Sequence, residues 1–590
     1  MKTIPICYAI RPASPAAHRF EVSCSVATPN PAGQQFALPA WIPGSYLIRD
    51  FARQIVAIRA ECAGRPVPLQ KIDKHTWRAP PLKRRGVLVV ICEIHVWDLS
   101  VRGAHLDETH GFFNGASVFL RVLGREDSPC LVDIALPEGS PYRDWRVASA
   151  LSPARGEKGC AKLHGFGVYA AANYDELIDH PVEMGRFTLA RFEAGGVPHE
   201  IAITGRHDCD IDRLTADLAR VCAWQIEFFG APAPMRRYTF LVTAIGQGYG
   251  GLEHRASSAL LCSRHDLPAH GMQGISPGYR TFLGLCSHEY FHAWNVKRIK
   301  PAAFIHCDLN RENYTTLLWA FEGFTSYYDD LALLRSGVIE LSDWLEITAK
   351  TISDVQRTPG RQRQTLAEAS FDAWSKFYRP DENSPNAQVS YYAKGSLFAL
   401  ALDLTLRART KGRVSLDDVM RTLWQEYGMT GKGVGDEDIR LIAEALSGLD
   451  LRRFFADGVH GTRELPLGKL LAPFGIGLAW EKAQTPALGV KTASIGEQLR
   501  LATVYDGGAA QAAGLAADDI LVAIDGLRVT PASLDQQLGR YRPGDTLAVH
   551  AFRRDELMQF GVRLAPPANE TARLVVKAGA NRLRHAWLGA

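Results

Sequence analysis

The chain of 590 residues carries a formal net charge of +4, with 46% hydrophobic and 22% charged residues. At roughly 150 residues per domain, this length gives about four units, each able to bury its own core. The weak net charge excludes a strongly basic nucleic-acid-binding surface, and no stretch reaches the ~18 consecutive apolar residues of a membrane span.

The N-terminal sequence MKTIPICYAIRPASPAAHRF breaks its short apolar stretch at Pro5 and Arg11. A signal peptide needs about 7–15 uninterrupted apolar residues. The eleven cysteines are odd in number, contain no CxxC and all lie at or before Cys307. They read as reduced thiols packed as small hydrophobes, and a cytoplasmic location is expected.

Residues 1–172 hold FEVSCSVAT, QIVAIRAEC, GVLVVICEIHVWDL and CLVDIALP, separated by Gly, Pro and Asn clusters. Their period-two alternation predicts an antiparallel β domain. The basic run Lys83, Arg84, Arg85 directly precedes one of these strands and reads as a solvated turn.

Across 173–466 the pattern changes. HEIAITG and RYTFLVTAI are strand-like, and DIDRLTADLARVCAWQIEFFG between them has helical spacing, with Asp210 or Asp212 placed to cap it. After Pro277, helices are predicted in YRTFLGLCSHEYFHAWNV, TTLLWAFEGFTSYYDDLALLRSG, LSDWLEITAKTISDVQRT, VSYYAKGSLFALALDLTLRART and LDDVMRTLWQEYG. Strands followed by a helical lobe predict a two-lobed α+β enzyme with a cleft between the lobes. Strands return in 467–568, where LRLATVYDGGAAQAAGLAADDILVAIDGLRV reads as strand, turn, short helix, strand and turn. A helix near SLDQQLGRY and two further strands complete that unit. The tail 569–590 shows no readable pattern. The fold class expected is multidomain α+β.

The segment HEYFHAWN at 288–295 carries the chemistry. Residues four apart in a helix are displaced by only ~40°, so His288 and His292 can present both imidazoles to one ion. Glu289 lies beside that ion without coordinating it, where a carboxylate can take a proton from water. Such a motif arises by chance in long chains, but the apolar YRTFLGLCS before it makes this helix buried. Unpaired imidazoles and a carboxylate are costly there. A catalytic zinc takes three protein ligands and leaves one position open. Glu322, the one charged residue within the apolar LWAFEGFTSYY, supplies the third.

The motifs HEYFHAWNVKRIKP, LWAFEGFTSYYDDL and YRPDENSPNAQVSYYAKGSL resemble the glycyl aminopeptidase family of PDZ-containing gluzincin zinc metallopeptidases. WIPGSYLIRDFARQI at 41–55 and YDELIDHPVEMG at 174–185 match it too, and the resemblance spans about residues 1–565. It implies an N-terminal β domain, a thermolysin-like catalytic domain, a C-terminal PDZ domain, one zinc ion, and aminopeptidase action that favours N-terminal Gly or Ala.

It also assigns roles. GYGGLEH at 248–254 resembles a Gly-x-Met-Glu-Asn exopeptidase motif, departing at Leu252 and His254. There an edge strand, here with Gly250 and Gly251, lines the cleft, and its glutamate, here Glu253, meets the free α-amine of the substrate. Tyr392 in YYAKG matches a phenol that steadies the oxyanion, with the adjacent Tyr391 as the alternative. GAAQAAGLAADDILVAIDG resembles a PDZ signature, with Asp518 where Gly is common. A peptide C-terminus or extended segment would bind there by strand addition, near Leu488, Gly489 and Val490. Two rivals remain: an endopeptidase with the same centre, and a PDZ peptide-binding scaffold with vestigial activity.

Overall fold

The computed structural model describes residues 4–82, 86–483, 485–567, 569–579 and 581–589; the basic run Lys83, Arg84, Arg85 lies outside the described residues. The chain divides into two compact units. One comprises Met1–Asn313, Ser336–Ile339 and Leu423–Gly433, and the other Tyr314–Arg335, Glu340–Thr422 and Val434–Ala590.

In the first unit, the alternating segments form an eight-stranded and two four-stranded sheets. Arg19–Val26 buries Phe20, Val22, Cys24 and Val26, and its neighbour Leu88–His95 buries Leu88, Val90, Cys92 and Ile94. One pairing departs from the antiparallel expectation: Ile6–Ser14 runs parallel to Cys130–Ile134, with Tyr8 opposite Val132. Alternation is the same for both directions of pairing, so it carries no information on which one forms. The long crossover that a parallel pair needs is supplied by the intervening strands.

A five-stranded sheet follows in the order Phe187–Ala194, Val197–Thr204, Tyr238–Ile245, Ser257–Ser263, Tyr249–Glu253. Its three central strands are parallel. Tyr249–Glu253 is an antiparallel edge, with Gly251 opposite Leu260 and Glu253 opposite Ser258. Helix Ile211–Phe229 is capped by Asp210, which accepts from the Arg213 N–H at 3.1 Å; Asp212 lies in the first turn. Helix Pro277–Phe291 begins at Ser276, whose hydroxyl accepts from the Tyr279 N–H, and Pro277 fills a position where no N–H is required. Gln225 joins the two helices by donating to Oγ and the carbonyl of Ser287 at 2.9 and 3.0 Å. The turn that carries His288 is thereby held against its neighbour.

The second unit holds the helices Gly323–Arg335, Leu341–Arg357 and Ala393–Arg409. The first and last cross at a glycine pair: a Cβ on Gly323 would stand 2.6 Å from Gly395 Cα. Residues 490–563 form a sheet in the order Val490–Ile495, Gln498–Val504, Ile520–Ile524, Thr546–Arg553, Glu556–Arg563, over a core that includes Leu501, Val549 and Val562. Asn386 of the helical part donates to the Val504 carbonyl at 2.9 Å and accepts from the Asp506 N–H at 3.0 Å. Arg363 pairs with Asp506 at 2.7 Å.

The tail, unreadable in sequence, is ordered and packed. Asn569–Val576 runs antiparallel to Ile476–Lys482, and helix Arg582–Leu588 buries Trp587 completely. The Trp587 indole donates to the Tyr327 hydroxyl at 2.8 Å, and its carbonyl accepts from Arg335 at 2.6 and 2.9 Å. Among the described residues, no helix is long and apolar enough to cross a membrane.

Candidate metal centre

His288 lies in the last turn of helix Pro277–Phe291, and His292 is its C-cap, still in right-handed helical conformation. The helix read from sequence through residue 296 therefore stops five residues early. Nδ1 of His292 donates to the Asn295 carbonyl at 2.6 Å, a side-chain bond that folds the chain back on itself. The same bond fixes the tautomer and leaves Nε2 free of a proton, as in imidazoles that bind metals through one nitrogen while the other donates to a carbonyl. Nε2 of His292 stands 3.0 Å from Nε2 of His288. Two nitrogens at about 2.0–2.1 Å from one tetrahedral ion stand about 3.3 Å apart, so the pair fits a single cation.

Glu289 is buried against the edge strand Tyr249–Glu253. A Cβ on Gly251 would overlap its carboxylate, so any side chain there would push the Glu289 carboxylate aside. Gly250, one residue earlier, is half-buried. Glu253, Glu289 and His292 each offer a ligand atom within 4.8 Å of the others, and all three are buried. Arg102 donates to the Gly251 carbonyl at 3.0 Å and pins the strand. Gly44, at φ +97°, approaches from the WIPGSY segment; a Cβ there would lie 2.5 Å from Glu253 Oε1.

Beside Glu253 opens a cavity of about 590 Å³, whose walls include Trp41, Tyr46, Phe304 and Lys300. Its deep wall is charged. Asp179 pairs with Lys297 Nζ at 2.6 Å, and its other oxygen accepts from the Arg255 N–H at 3.0 Å. Burial alone would raise the Asp179 carboxyl, but Lys297 and Arg255 hold it well below the usual carboxylate range. His254 Nδ1 is 3.4 Å from Asp179, yet burial pushes its imidazole down to about 4 and keeps it neutral. The residue after Glu253 therefore adds no positive charge next to that carboxylate.

In the second unit, Glu322 joins helices Leu318–Phe321 and Gly323–Arg335. It is 2% exposed, and its N–H donates to the Leu318 carbonyl at 2.7 Å, so helical bonding continues through the junction. Tyr392 is half-buried at the start of helix Ala393–Arg409, its hydroxyl 3.0 Å from that of Tyr378. Tyr391 is wholly buried, and burial raises its phenol well above the ordinary value.

Three residues of the first unit escaped the sequence reading. Gly44 and Asp179 lie inside the segments WIPGSY and YDELIDHP, which stood out as motifs without a role. Arg102 had no sequence signal.

The model of the Peptidase M61 N-terminal domain matches residues 7–186, and that of the M61 glycyl aminopeptidase matches residues 281–398. The crystal structure of an aminopeptidase N family protein from Idiomarina loihiensis is 40% identical, with a TM-score of 0.94 over 99% of this chain and 100% of that one. An M1 zinc metallopeptidase from Deinococcus radiodurans is 12% identical, with a TM-score of 0.48 over 79% of this chain and 96% of that one. Comparison with curated proteins gave no match. With that identity over its whole length, the chain belongs to the M61 glycyl aminopeptidase family.

Proposed function

We propose that the protein is a zinc-dependent aminopeptidase that releases N-terminal residues, Gly or Ala foremost, from peptides. The observation that carries this reading is the convergence of Glu253, Glu289 and His292 beside a glycine-bearing edge strand. An endopeptidase has no need of a second buried carboxylate at that point; an exopeptidase needs one to receive the α-ammonium.

In this reading His288, His292 and Glu322 hold one zinc ion, a His2Glu set whose nitrogen and oxygen donors suit that metal. Zinc bound there would supply the Lewis acidity that polarises the scissile carbonyl and acidifies water. Glu289 takes the proton of the attacking water and later delivers it to the leaving amine. Tyr392 donates its phenolic proton in a hydrogen bond to the developing oxyanion. The burial of Tyr391 supports this choice, since a wholly enclosed hydroxyl cannot meet substrate. Glu253 accepts hydrogen bonds from the α-ammonium and so sets cleavage one residue from the end. Gly250 and Gly251 leave the strand bare of side chains, so a substrate backbone can lie against it.

The division into 1–172, 173–466, 467–568 and 569–590 follows the same reading, with a PDZ domain as the third segment. Its support is the edge strand Val490–Ile495, which pairs on one side with Gln498–Val504, and Gly489 at φ +77° just before it. A peptide C-terminus or extended segment would add there as a further strand. All eleven cysteines are free, which supports a reducing, cytoplasmic setting.

A panel of aminoacyl chromogenic substrates, with and without chelator and with N-acetylated controls, tests the reading. The panel runs from Gly to Trp, because a cavity of about 590 Å³ has room for side chains larger than a methyl. Chelator-sensitive hydrolysis of the free amines alone is expected. Equal hydrolysis of acetylated substrates at internal bonds would replace the aminopeptidase with an endopeptidase.

A further inference from the structure

A second histidine cluster lies in the N-terminal β domain, within the sequence HLDETH. Strands Ala104–Leu106 and His110–Phe113 form a hairpin, with Gly111 opposite Leu106 and Phe112 opposite His105. The turn is closed by the Asp107 N–H donating to the His110 carbonyl at 3.0 Å. Alternation along each strand puts His105, Asp107 and His110 on one face. Each offers one ligand atom within 4.8 Å of the others. Both histidines are buried, at 4% and 7% exposure.

The partners of these groups are arranged as those of metal ligands are. Nδ1 of His110 bonds to Oε1 of Glu183 at 3.1 Å, and Glu183 is itself 2% exposed. That carboxylate fixes the tautomer and turns Nε2 of His110 toward the cluster, the carboxylate–histidine pairing that commonly supports a bound metal. Asp107 divides its two oxygens. Oδ1 accepts from the backbone and hydroxyl of Thr109 at 2.6 Å and from the His110 N–H at 3.0 Å. Oδ2 is left facing His105, 3.3 Å from its Nε2. Nδ1 of His105 is buried with no hydrogen-bond partner among the described residues. That atom lies across the ring from Asp107, so Nε2 is the His105 atom offered to the cluster. A void of about 10 Å³ touches both imidazoles but not Asp107, and its other walls include Val101, Leu241 and Leu260.

We propose that His105, Asp107 and His110 form a second, structural divalent-metal site, with Glu183 as the residue that orients His110, and that its ion is zinc. Two imidazoles and one carboxylate are borderline donors of the kind that suit zinc or cobalt. Bound there, the ion ties the hairpin through Glu183 to strand Val182–Gly185, which pairs with His110–Phe113. The void is far too small for a peptide, so the site holds an ion and processes nothing.

The test uses full-length protein carrying His288→Ala and His292→Ala, stripped with chelator and dialysed against Zn2+ alone. One zinc per chain is expected, together with a zinc-dependent rise in Tm. Adding His105→Gln or Asp107→Asn should abolish both. Glu183→Gln, which removes no ligand, should weaken zinc binding by about 10–100-fold. Cobalt in the same protein should give visible d–d bands with no thiolate charge-transfer band. If the double alanine variant does not fold, the wild-type chain answers the question, with two zinc ions expected against one in His105→Gln. A zinc-free double variant overturns the proposal, as does a retained zinc that His105→Gln and Asp107→Asn leave in place.

Discussion

The two histidine clusters of the first unit use similar residues in opposite settings. His288 and His292 end a helix beside a strand stripped of side chains at Gly251, with a cavity of about 590 Å³ a few ångströms away at Glu253. His105 and His110 face each other across a hairpin, stacked with ring centroids 5.0 Å apart, beside a void of about 10 Å³. Coordinating residues alone therefore do not make a catalyst. What separates the clusters is the room left for a reactant.

The largest effects should fall on the first cluster. His292→Ala is expected to lose its metal and its turnover together. Glu289→Gln should keep the metal and lose about 10²–10⁴-fold in kcat, the usual worth of a general base. His105→Gln should leave kcat near wild type. Metal content by mass spectrometry beside steady-state kinetics reads all three, and a His105→Gln enzyme as dead as His292→Ala would erase the distinction.

Next comes the bare strand. Gly251→Ala places a methyl on the Glu289 carboxylate and should lower kcat by about 100-fold, the cost of roughly 1 Å of misplacement, with KM little changed. Unchanged kcat would mean that the base can move aside without loss.

Glu253 gives a similar or smaller effect. Losing a hydrogen bond to a charged partner costs about 1.5–3 kcal/mol, or roughly 10–150-fold in kcat/KM. Glu253→Ala and N-acetylation of the substrate should each cause such a loss, and their combination little more, since both delete one contact. Additive losses would show that Glu253 acts elsewhere.

The last effect is on stability rather than turnover, in metal-free protein, where the two regions should respond to pH in opposite directions. Behind the first cluster, burial pushes His199 down to about 4. Its Nδ1 donates to the Val197 carbonyl at 2.8 Å and its Nε2 accepts from Tyr290 at 2.9 Å, as a neutral ring can. Between pH 4 and 6.5 the unfolded chain then binds more protons than the folded one. Stability falls as the pH drops through that window, by about 3 kcal/mol in all. In the second cluster burial opposes protonation of His110, but Glu183 overcomes it and raises the pKa, with Asp107 also attracting the proton. His110 therefore stabilises below the unfolded value of about 6.5, and that contribution fades as the pH rises through its folded value. His105 beside it is lowered by burial and by His110, and so partly offsets this. As the pH falls, denaturant midpoints for His199→Gln and His110→Gln should depart from wild type in opposite directions, the first variant gaining on it and the second losing. Parallel curves would refute the assignment.

Much of the first cluster was legible in sequence because its signals are local. A four-residue spacing, a cap at Asp210 and a proline at the start of a helix are all set by neighbours along the chain. The close approaches were not. Gly44 meets Glu253 and Arg102 meets Gly251 across long sequence separations, and nothing in either local pattern states the partner. The helix end failed for a different reason. Apolar spacing continues past Phe291, but the backbone leaves helical geometry there and Val296 sits at φ +155°, which no periodicity announces. The HLDETH hairpin was passed over because its two histidines match neither helical nor consecutive spacing, and only strand pairing brings them together.

Trp587 sets a schedule for the protein as it is made. Its partner Arg335 lies 252 residues earlier, which at about 5–20 residues per second is roughly 13–50 s of synthesis. The sheet over 490–563 can close upon itself only near the end of that interval, whereas the pocket beside Tyr327 awaits its indole throughout. A chain released early would carry finished strands and an unplugged helical core, a state that quality-control proteases could distinguish from the complete molecule.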